Sequence, residues 1–263
     1  MSDAARLAAL LRAGRSAVAL TGAGISVPSG IPDFRSPQTG IWANVDPMAV
    51  AHIDAFNRDP VAFWGFYGQR FALLDGKEPN GAHRALAALE AAGRLRAVIT
   101  QNIDGLHAAA GSRDIVEVHG SVAVSRCSRG GGPSRAAGAF ERRPHGRREY
   151  PLSEVRARLA ADPEGVPRCD CGAPLRPGVV LFGELLPAAA IDRAMELAAR
   201  ADLLLCVGSS LVVHPVAGLP ELTLAAGGRV AIVTQSETPF DRHAAVRLGG
   251  DVEEELEAVM AAL

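Results

Sequence analysis

The sequence predicts an α/β protein: a mostly parallel sheet with helices on both faces, carrying a smaller domain built from two insertions. Three observations predict it. Short β-branched or leucine-rich runs alternate with alanine-rich segments of helical spacing, the order expected of strand–helix–strand units. Most of those runs end in polar residues. Two stretches, 43–80 and 121–178, break the rhythm and divide the chain into a larger domain (1–42, 81–120 and 179–263) and a smaller one.

The strand candidates are SAVALTG (16–22), LRAVITQ (95–101), DIVEVHG (114–120), GVVLFGE (178–184), ADLLLCVG (201–208) and RVAIVTQ (229–235). Helical candidates between them include AHRALAALEAAG (82–93), closed by Gly93, and AAAIDRAMELAARA (188–201). In such a sheet ligands bind outside the carboxyl ends of the strands. Thr21, Gln101, Asn102, His119, Gly208, Ser209, Ser210 and Thr234 stand at those ends. The stretch 43–80 concentrates aromatic residues in AFNRDPVAFWGFYGQRF and reads as a helical module with its own cluster. Within the second insertion, RCSRGGGPSRAAGAFERRPHGRR (126–148) is rich in Gly, Pro and Arg. It reads as a solvated loop, or as a surface attracting acidic partners.

The chain has 263 residues, 48% of them hydrophobic and 21% charged, which is ordinary globular composition. A formal charge of −2 gives no global attraction to nucleic acid or an anionic membrane. No apolar run approaches the roughly 20 residues that span a bilayer, and MSDAARLAALLRAGR lacks the order of a signal peptide. A cytoplasmic location is the expectation. Of the four cysteines, Cys206 sits in an apolar run as a small hydrophobe, and the close pair Cys169 and Cys171 suggests metal more than disulfide. With Cys127 that leaves three sulfur ligands.

Three constellations carry chemistry. Gly22-Ala23-Gly24 follows the first strand, where glycines let backbone N–H groups approach a phosphate. The third glycine of the dehydrogenase fingerprint is missing, and Asp33-Phe34-Arg35 follows instead, offering an arginine for phosphate and a ring for an apolar face. TQNIDGLH (100–107) presents amides and a carboxylate able to read a ribose or a carboxamide, or to cap the helix that follows. VHGS (118–121) places His119 at a strand end, where a neutral imidazole makes a good base.

In this order GAGISVPSGIPDFRS (22–36), PNGAH (79–83), TQNIDGLH, EVHGS (117–121), LRPGVVLFGE (175–184) and GSSLVVHP (208–215) resemble the sirtuins, NAD-dependent protein deacylases. The resemblance implies a Rossmann-like large domain, and a small domain with a helical and a zinc module. It also implies an acyl-lysine tunnel between the two. It assigns Gly22, Ala23, Gly24, Asp33, Phe34 and Arg35 to NAD phosphate and ribose. Gly208, Ser209, Ser210 and Thr234 fall to the adenosine side, and Gln101, Asn102, Ile103 and Asp104 to the nicotinamide pocket. His119 is implied as general base, with Asn102 beside it in catalysis. Val179, Val180, Phe182, Gly183 and Glu184 resemble the strand on which substrate backbone is laid. Tyr67 and Arg70, in a Tyr-x-x-Arg pattern with Ala51 at a small-residue position, resemble members that remove succinyl and malonyl groups. The implied partners are acyl-lysine proteins, and the products nicotinamide and O-acyl-ADP-ribose.

Two departures stand out. The first Cys-x-x-Cys pair of the family reads Cys127-Ser128-Arg129-Gly130, and the second is shortened to Cys169-Asp170-Cys171. Structural zinc takes four ligands. Cys127, Cys169 and Cys171 therefore either recruit a fourth, such as His145 or Asp170, or the metal is lost. A non-catalytic NAD or ADP-ribose binding module and an NAD glycohydrolase or ADP-ribosyltransferase are the competing functions. A hydride-transfer dehydrogenase is what the opening glycines alone suggest.

Overall fold

A computed structural model describes residues 1–33, 40, 45–129 and 149–263. The chain divides into two compact units, Met1–Ala43 with Gly76–His119 and Leu185–Leu263, and Asn44–Asp75 with Gly120–Glu184. Residues 179–184, expected with the larger domain, cluster with the second unit.

The first unit is a six-stranded parallel sheet of β1 (Ala17–Thr21), β2 (Ala97–Thr100), β3 (Ile115–Glu117), β7 (Leu203–Val207), β8 (Arg229–Val233) and β9 (Val246–Leu248). Their order is β3-β2-β1-β7-β8-β9, so the winding reverses between β1 and β7. Strands buried on both faces need unbroken apolar runs, and β1, β2 and β7 are buried at every position. Alternate residues feed opposite cores. Ala17 and Ala19 pack with Leu7 and Leu11 of α1 (Asp3–Ala13), Leu86 and Leu89 of α5 (Gly81–Ala91), and Leu256 and Val259 of α10 (Val252–Ala261). Val18 and Leu20 pack with Ala194, Leu197 and Ala198 of α8 (Ala188–Arg200) and Leu219 of α9 (Leu219–Ala225). A short α6 (Leu106–Ala109) follows the loop after β2.

Asn80 starts α5 and anchors it. Its Oδ1 accepts from the N–H groups of Ala82 (2.9 Å) and His83 (3.3 Å), while Nδ2 donates to the Ile25 carbonyl (2.8 Å) and Ser29 Oγ (3.0 Å). One side chain thus satisfies helix-end donors and ties down the loop that leaves β1.

The second unit holds an antiparallel sheet β5-β4-β6, from β4 (Gly120–Cys127), β5 (Glu149–Pro151) and β6 (Leu175–Val179), with helices α2 (Pro47–Val50), α3 (Ile53–Arg58), α4 (Pro60–Leu73) and α7 (Leu152–Ala161). Asp59 caps α4 ahead of Pro60, whose missing N–H costs nothing at a first helical position. Phe63 stacks on Tyr67 at 4.4 Å and meets Phe56 edge-on at 5.1 Å, and the Trp64 indole donates to the Leu175 carbonyl at 2.9 Å.

The run GVVLFGE does not join the parallel sheet. The strand there begins earlier, at Leu175, ends at Val179, and pairs antiparallel with β4. Pro177 lacks an N–H and suits such an edge strand. Three strands were not foreseen: β5 and β9 are three residues each, and the apolar run of β4 is only Val122-Ala123-Val124.

Candidate functional site

The crevice of a doubly wound sheet opens where strand order reverses. Here that is between β1 and β7, and the loops leaving them interlock. The Gly24 N–H donates to the Gly208 carbonyl (2.8 Å) and the Gly22 N–H to the Val207 carbonyl (3.1 Å). A β-carbon on Gly24 would lie 2.8 Å from the Gly208 backbone; one on Gly208, at φ +61°, would lie 2.1 Å from the Ile25 nitrogen. These glycines are required by the approach of two loops to each other. Gly-x-Gly here is a packing device, with the N–H groups of Gly22 and Gly24 taken by the Val207 and Gly208 carbonyls.

The loop after β2 locks onto the same place. Gln101 N–H donates to the Thr21 carbonyl (3.0 Å), and Gln101 Nε2 to Ser209 Oγ (2.9 Å). Asn102 is buried; its Nδ2 donates to the Gly22 carbonyl (3.2 Å) and Ser26 Oγ (3.1 Å), which fixes its amide orientation. Ser26 in turn donates to Asp104 Oδ2 (2.7 Å), and Asp104 Oδ1 accepts from the Leu106 N–H (3.0 Å) at the start of α6. Asp104 therefore ties the loop carrying Ser26 to the start of α6, in keeping with the capping reading of TQNIDGLH. Ile103 and Ser210 are half-buried beside these groups in the chain, Ala23 opens the turn that carries Ser26, and Thr234 lies buried just beyond β8.

His119 ends the array. Its Nδ1 lies 3.0 Å from the Gln101 carbonyl oxygen. A carbonyl only accepts, so Nδ1 carries the proton and Nε2 keeps its lone pair. Burial lowers the His119 pKa from the ordinary imidazole value, partly offset by that hydrogen bond. The ring is neutral at pH 7 and oriented, with the basic nitrogen left over: the state a general base requires.

Beneath these residues lies a buried polar layer missed from the sequence. Thr21 Oγ1 bonds Thr100 Oγ1 (2.8 Å) and His107 Nε2 (2.9 Å), Ser26 Oγ lies 3.4 Å from His83 Nε2, and the two imidazoles meet edge-on at 4.9 Å. Burial pushes His83 down to about 4 and His107 to about 3. Both stay neutral: loss of water outweighs the pull of Asp104 and Glu253 on His83, and His83 adds to the effect of burial on His107. Their spacing in PNGAH and NIDGLH was legible; their shared burial was not.

In the second unit, Ala51 is buried and its carbonyl accepts from the Phe182 N–H (3.0 Å), while Phe182 accepts from the Ile53 N–H (3.0 Å). The chain 180–183 thus runs beside 51–53, with Val179 buried, Val180 half-buried and Phe182 exposed. Gly183, at φ +83°, has no room for a β-carbon against the His52 ring. Tyr67 is buried against Phe63, and burial raises its phenol to about 12, eased by Arg70 and reinforced by Glu184. The Arg70 guanidinium lies 4.4 Å from the Phe66 ring centre, and Glu184 pairs with Arg176.

Cys127, Cys169 and Cys171 converge, their three sulfur atoms all within 4.8 Å of one another and Cys127 and Cys171 at 3.6 Å. Four ligands at about 2.3 Å from a tetrahedral zinc put neighbouring sulfurs about 3.8 Å apart, so this set fits the metal. The main-chain N–H two residues on points back at the sulfur in both arms, Arg129 to Cys127 and Cys171 to Cys169. Asp170 does not join them; it bonds Arg158 at 2.6 Å. Phe34, Arg35 and His145 lie outside the described residues.

The Sir2 family model matches residues 22–215, from the glycine that leaves β1 to the proline beyond β7. The chain belongs to the Sir2 family. It is an enzyme of the NAD-dependent protein deacetylase and deacylase class, with NAD as co-substrate. This Sir2 chain is 44% identical over 97% of its length to an NAD-dependent protein deacetylase of Caldivirga maquilingensis, covering 91% of that protein. It is 42% identical over 93% of its length to an NAD-dependent protein deacylase of Methylococcus capsulatus, covering 91% of it. Its fold matches a Sir2 structure described with a deacetylated p53 peptide and 3'-O-acetyl-ADP-ribose, at TM-score 0.86 and 40% identity, covering 97% of this chain and 96% of that one.

Proposed function

We propose that this Sir2 chain removes acyl groups from lysine side chains of proteins at the expense of NAD, accepting acidic acyl groups such as succinyl and malonyl as well as acetyl. The observation that carries the reaction is His119, held neutral with Nδ1 on the Gln101 carbonyl and Nε2 available. NAD held at the β1–β7 crevice supplies a glycosidic bond to nicotinamide that the acyl oxygen displaces. Gly22, Ala23, Gly24, Asp33, Gly208, Ser209, Ser210 and Thr234 are assigned to holding it. Gln101, Asn102, Ile103 and Asp104 are assigned to the nicotinamide end, where the two bonds from Nδ2 fix the orientation of the Asn102 amide. His119 Nε2 takes the proton of a ribose hydroxyl, raising its nucleophilicity toward the acyl carbon. One water is consumed as the acyl C–N bond breaks and the amine leaves protonated, so the products are free lysine, nicotinamide and O-acyl-ADP-ribose.

Acidic-acyl acceptance is supported by Tyr67 and Arg70, one turn apart on α4, with the small Ala51 buried in the same unit. A neutral phenol donates to a carboxylate, and a guanidinium meets it with a fork of donors. Residues 179–184 are assigned to pairing with substrate backbone, a mode that reads sequence weakly. Unbridged cysteines drawn into a metal-type cluster support a cytoplasmic, reducing location. No described helix is long and apolar enough to cross a membrane.

The test is incubation with NAD and acetyl- or succinyl-lysine peptides, read by mass spectrometry. O-acyl-ADP-ribose with both is expected. Nicotinamide release without peptide dependence would assign a glycohydrolase instead. Arg70→Met should lose desuccinylation by a factor of about 100 and deacetylation by less than about 3, a gap that fits loss of a charged hydrogen bond; equal losses remove the acidic-acyl reading.

A further inference from the structure

The three-cysteine cluster has a neighbour that no ligand count includes. Tyr150, on β5, is wholly buried, and its hydroxyl lies 3.3 Å from Cys169 Sγ. The same oxygen accepts the Asp170 N–H at 3.3 Å. A metal-bound thiolate has no proton to give, so toward it the phenolic O–H is the donor and the sulfur accepts. The ring is held from its face by Arg158, whose guanidinium carbon lies 4.7 Å from the ring centre. Arg158 is itself fixed by Glu154 (2.9 Å), Asp170 (2.6 Å) and the Arg168 carbonyl (2.7 Å). Cys169 is thus the cysteine that receives both a main-chain N–H, from Cys171, and a side-chain O–H.

We propose that Tyr150 is a positioning residue for the metal: its hydroxyl donates to the Cys169 thiolate and holds that sulfur as a ligand in a site with three cysteines. The electrostatics favour it. Three thiolates around a divalent cation carry a net charge of −1, in a buried setting with little water to stabilise it. A hydrogen bond to sulfur spreads that charge and holds the sulfur in place, so the ligand is lost less readily. In a site that has given up one cysteine, each remaining Zn–S bond matters more to retention.

The experiment uses the full chain loaded with one zinc, and Tyr150→Phe, which keeps the buried ring and deletes only the hydroxyl. Zinc transfer to a chromogenic chelator should run on the order of 10–100-fold faster in the variant, the scale of losing a partner behind a metal ligand. Chain loaded with cobalt(II) gives a second readout. The sulfur-to-cobalt charge-transfer band should move to longer wavelength in Tyr150→Phe at unchanged intensity. Removing the hydrogen bond raises the sulfur lone pair in energy without removing a sulfur. A purely packing role for Tyr150 would leave the band in place. Identical transfer rates and identical bands in the two proteins overturn the proposal. A wild-type chain that takes up neither zinc nor cobalt overturns the metal site and this role with it.

Discussion

His119 Nδ1 sits 3.0 Å from the carbonyl oxygen of Gln101, so a backbone group of one loop decides which imidazole nitrogen in another carries the proton. Because burial lowers the His119 pKa, the neutral form persists to lower pH than in a free imidazole. Activity should therefore be flat through pH 7, with its acid limb below the usual imidazole value of about 6.5. The pH profile of kcat/KM checks this, and an acid limb above that value contradicts it. His119→Ala should abolish acyl transfer while NAD still binds, as calorimetry would report.

Ser26 is the hub joining Asn102, Asp104 and His83. Ser26→Ala removes an acceptor from Asn102 Nδ2 and a donor from Asp104. A fall in kcat of at least tenfold is expected, with a stability loss of only about 1–3 kcal/mol from the groups left unpaired. A variant with full kcat would show that the orientation of Asn102 does not matter.

The buried histidines make folding sensitive to acid. Both His83 and His107 have folded pKa values depressed from 6.5, to about 4 and about 3. The unfolded chain binds their protons first, so stability is intact above about pH 6.5 and falls as pH drops toward 4. Urea midpoints measured between pH 7 and pH 4.5 should decline steadily. His107→Gln should be less stable at pH 7 yet show a shallower decline; an unchanged slope would mean that His107 does not carry the effect.

Loop interlock predicts a sharp contrast among glycines. Gly208→Ala needs a left-handed backbone and drives a β-carbon into Ile25, and should cost at least about 2–3 kcal/mol in denaturant unfolding. Gly65→Ala, within α4 and with nothing within 4 Å of the added carbon, should be neutral or stabilise by up to about 1 kcal/mol. Comparable losses at the two sites would refute the interlock.

Asn80→Ala removes the α5 cap and the tie to Ile25 and Ser29 together. The cap alone is worth about 1 kcal/mol. A total loss above that is expected, and Asn80→Asp, which keeps the capping oxygen but no longer donates, should recover only the cap's share. Full recovery would mean the link to the β1 loop adds nothing.

Much of this protein is decided along the chain. Apolar runs long enough to be buried on both faces make β1, β2, β7 and β8 central parallel strands, and the polar residues that end them must gather at one edge, since parallel strands share a direction. His119, Asn102 and Gln101 were readable there for that reason, and the motifs around them carried the family. Pairing partners were not readable. GVVLFGE has the composition of a core strand, yet only Gly178 and Val179 lie in one, the antiparallel edge strand β6, because register and partner come from contacts distant in sequence. The role of Gly24 is decided by Gly208, nearly the length of the domain away, and the neutrality of His83 and His107 by burial that no local pattern encodes. Tyr150 meets Cys169 only once β5 is laid beside β4. Local sequence sets which groups are available; tertiary contact sets their charge, tautomer and partner, because those depend on which groups and how much water surround them.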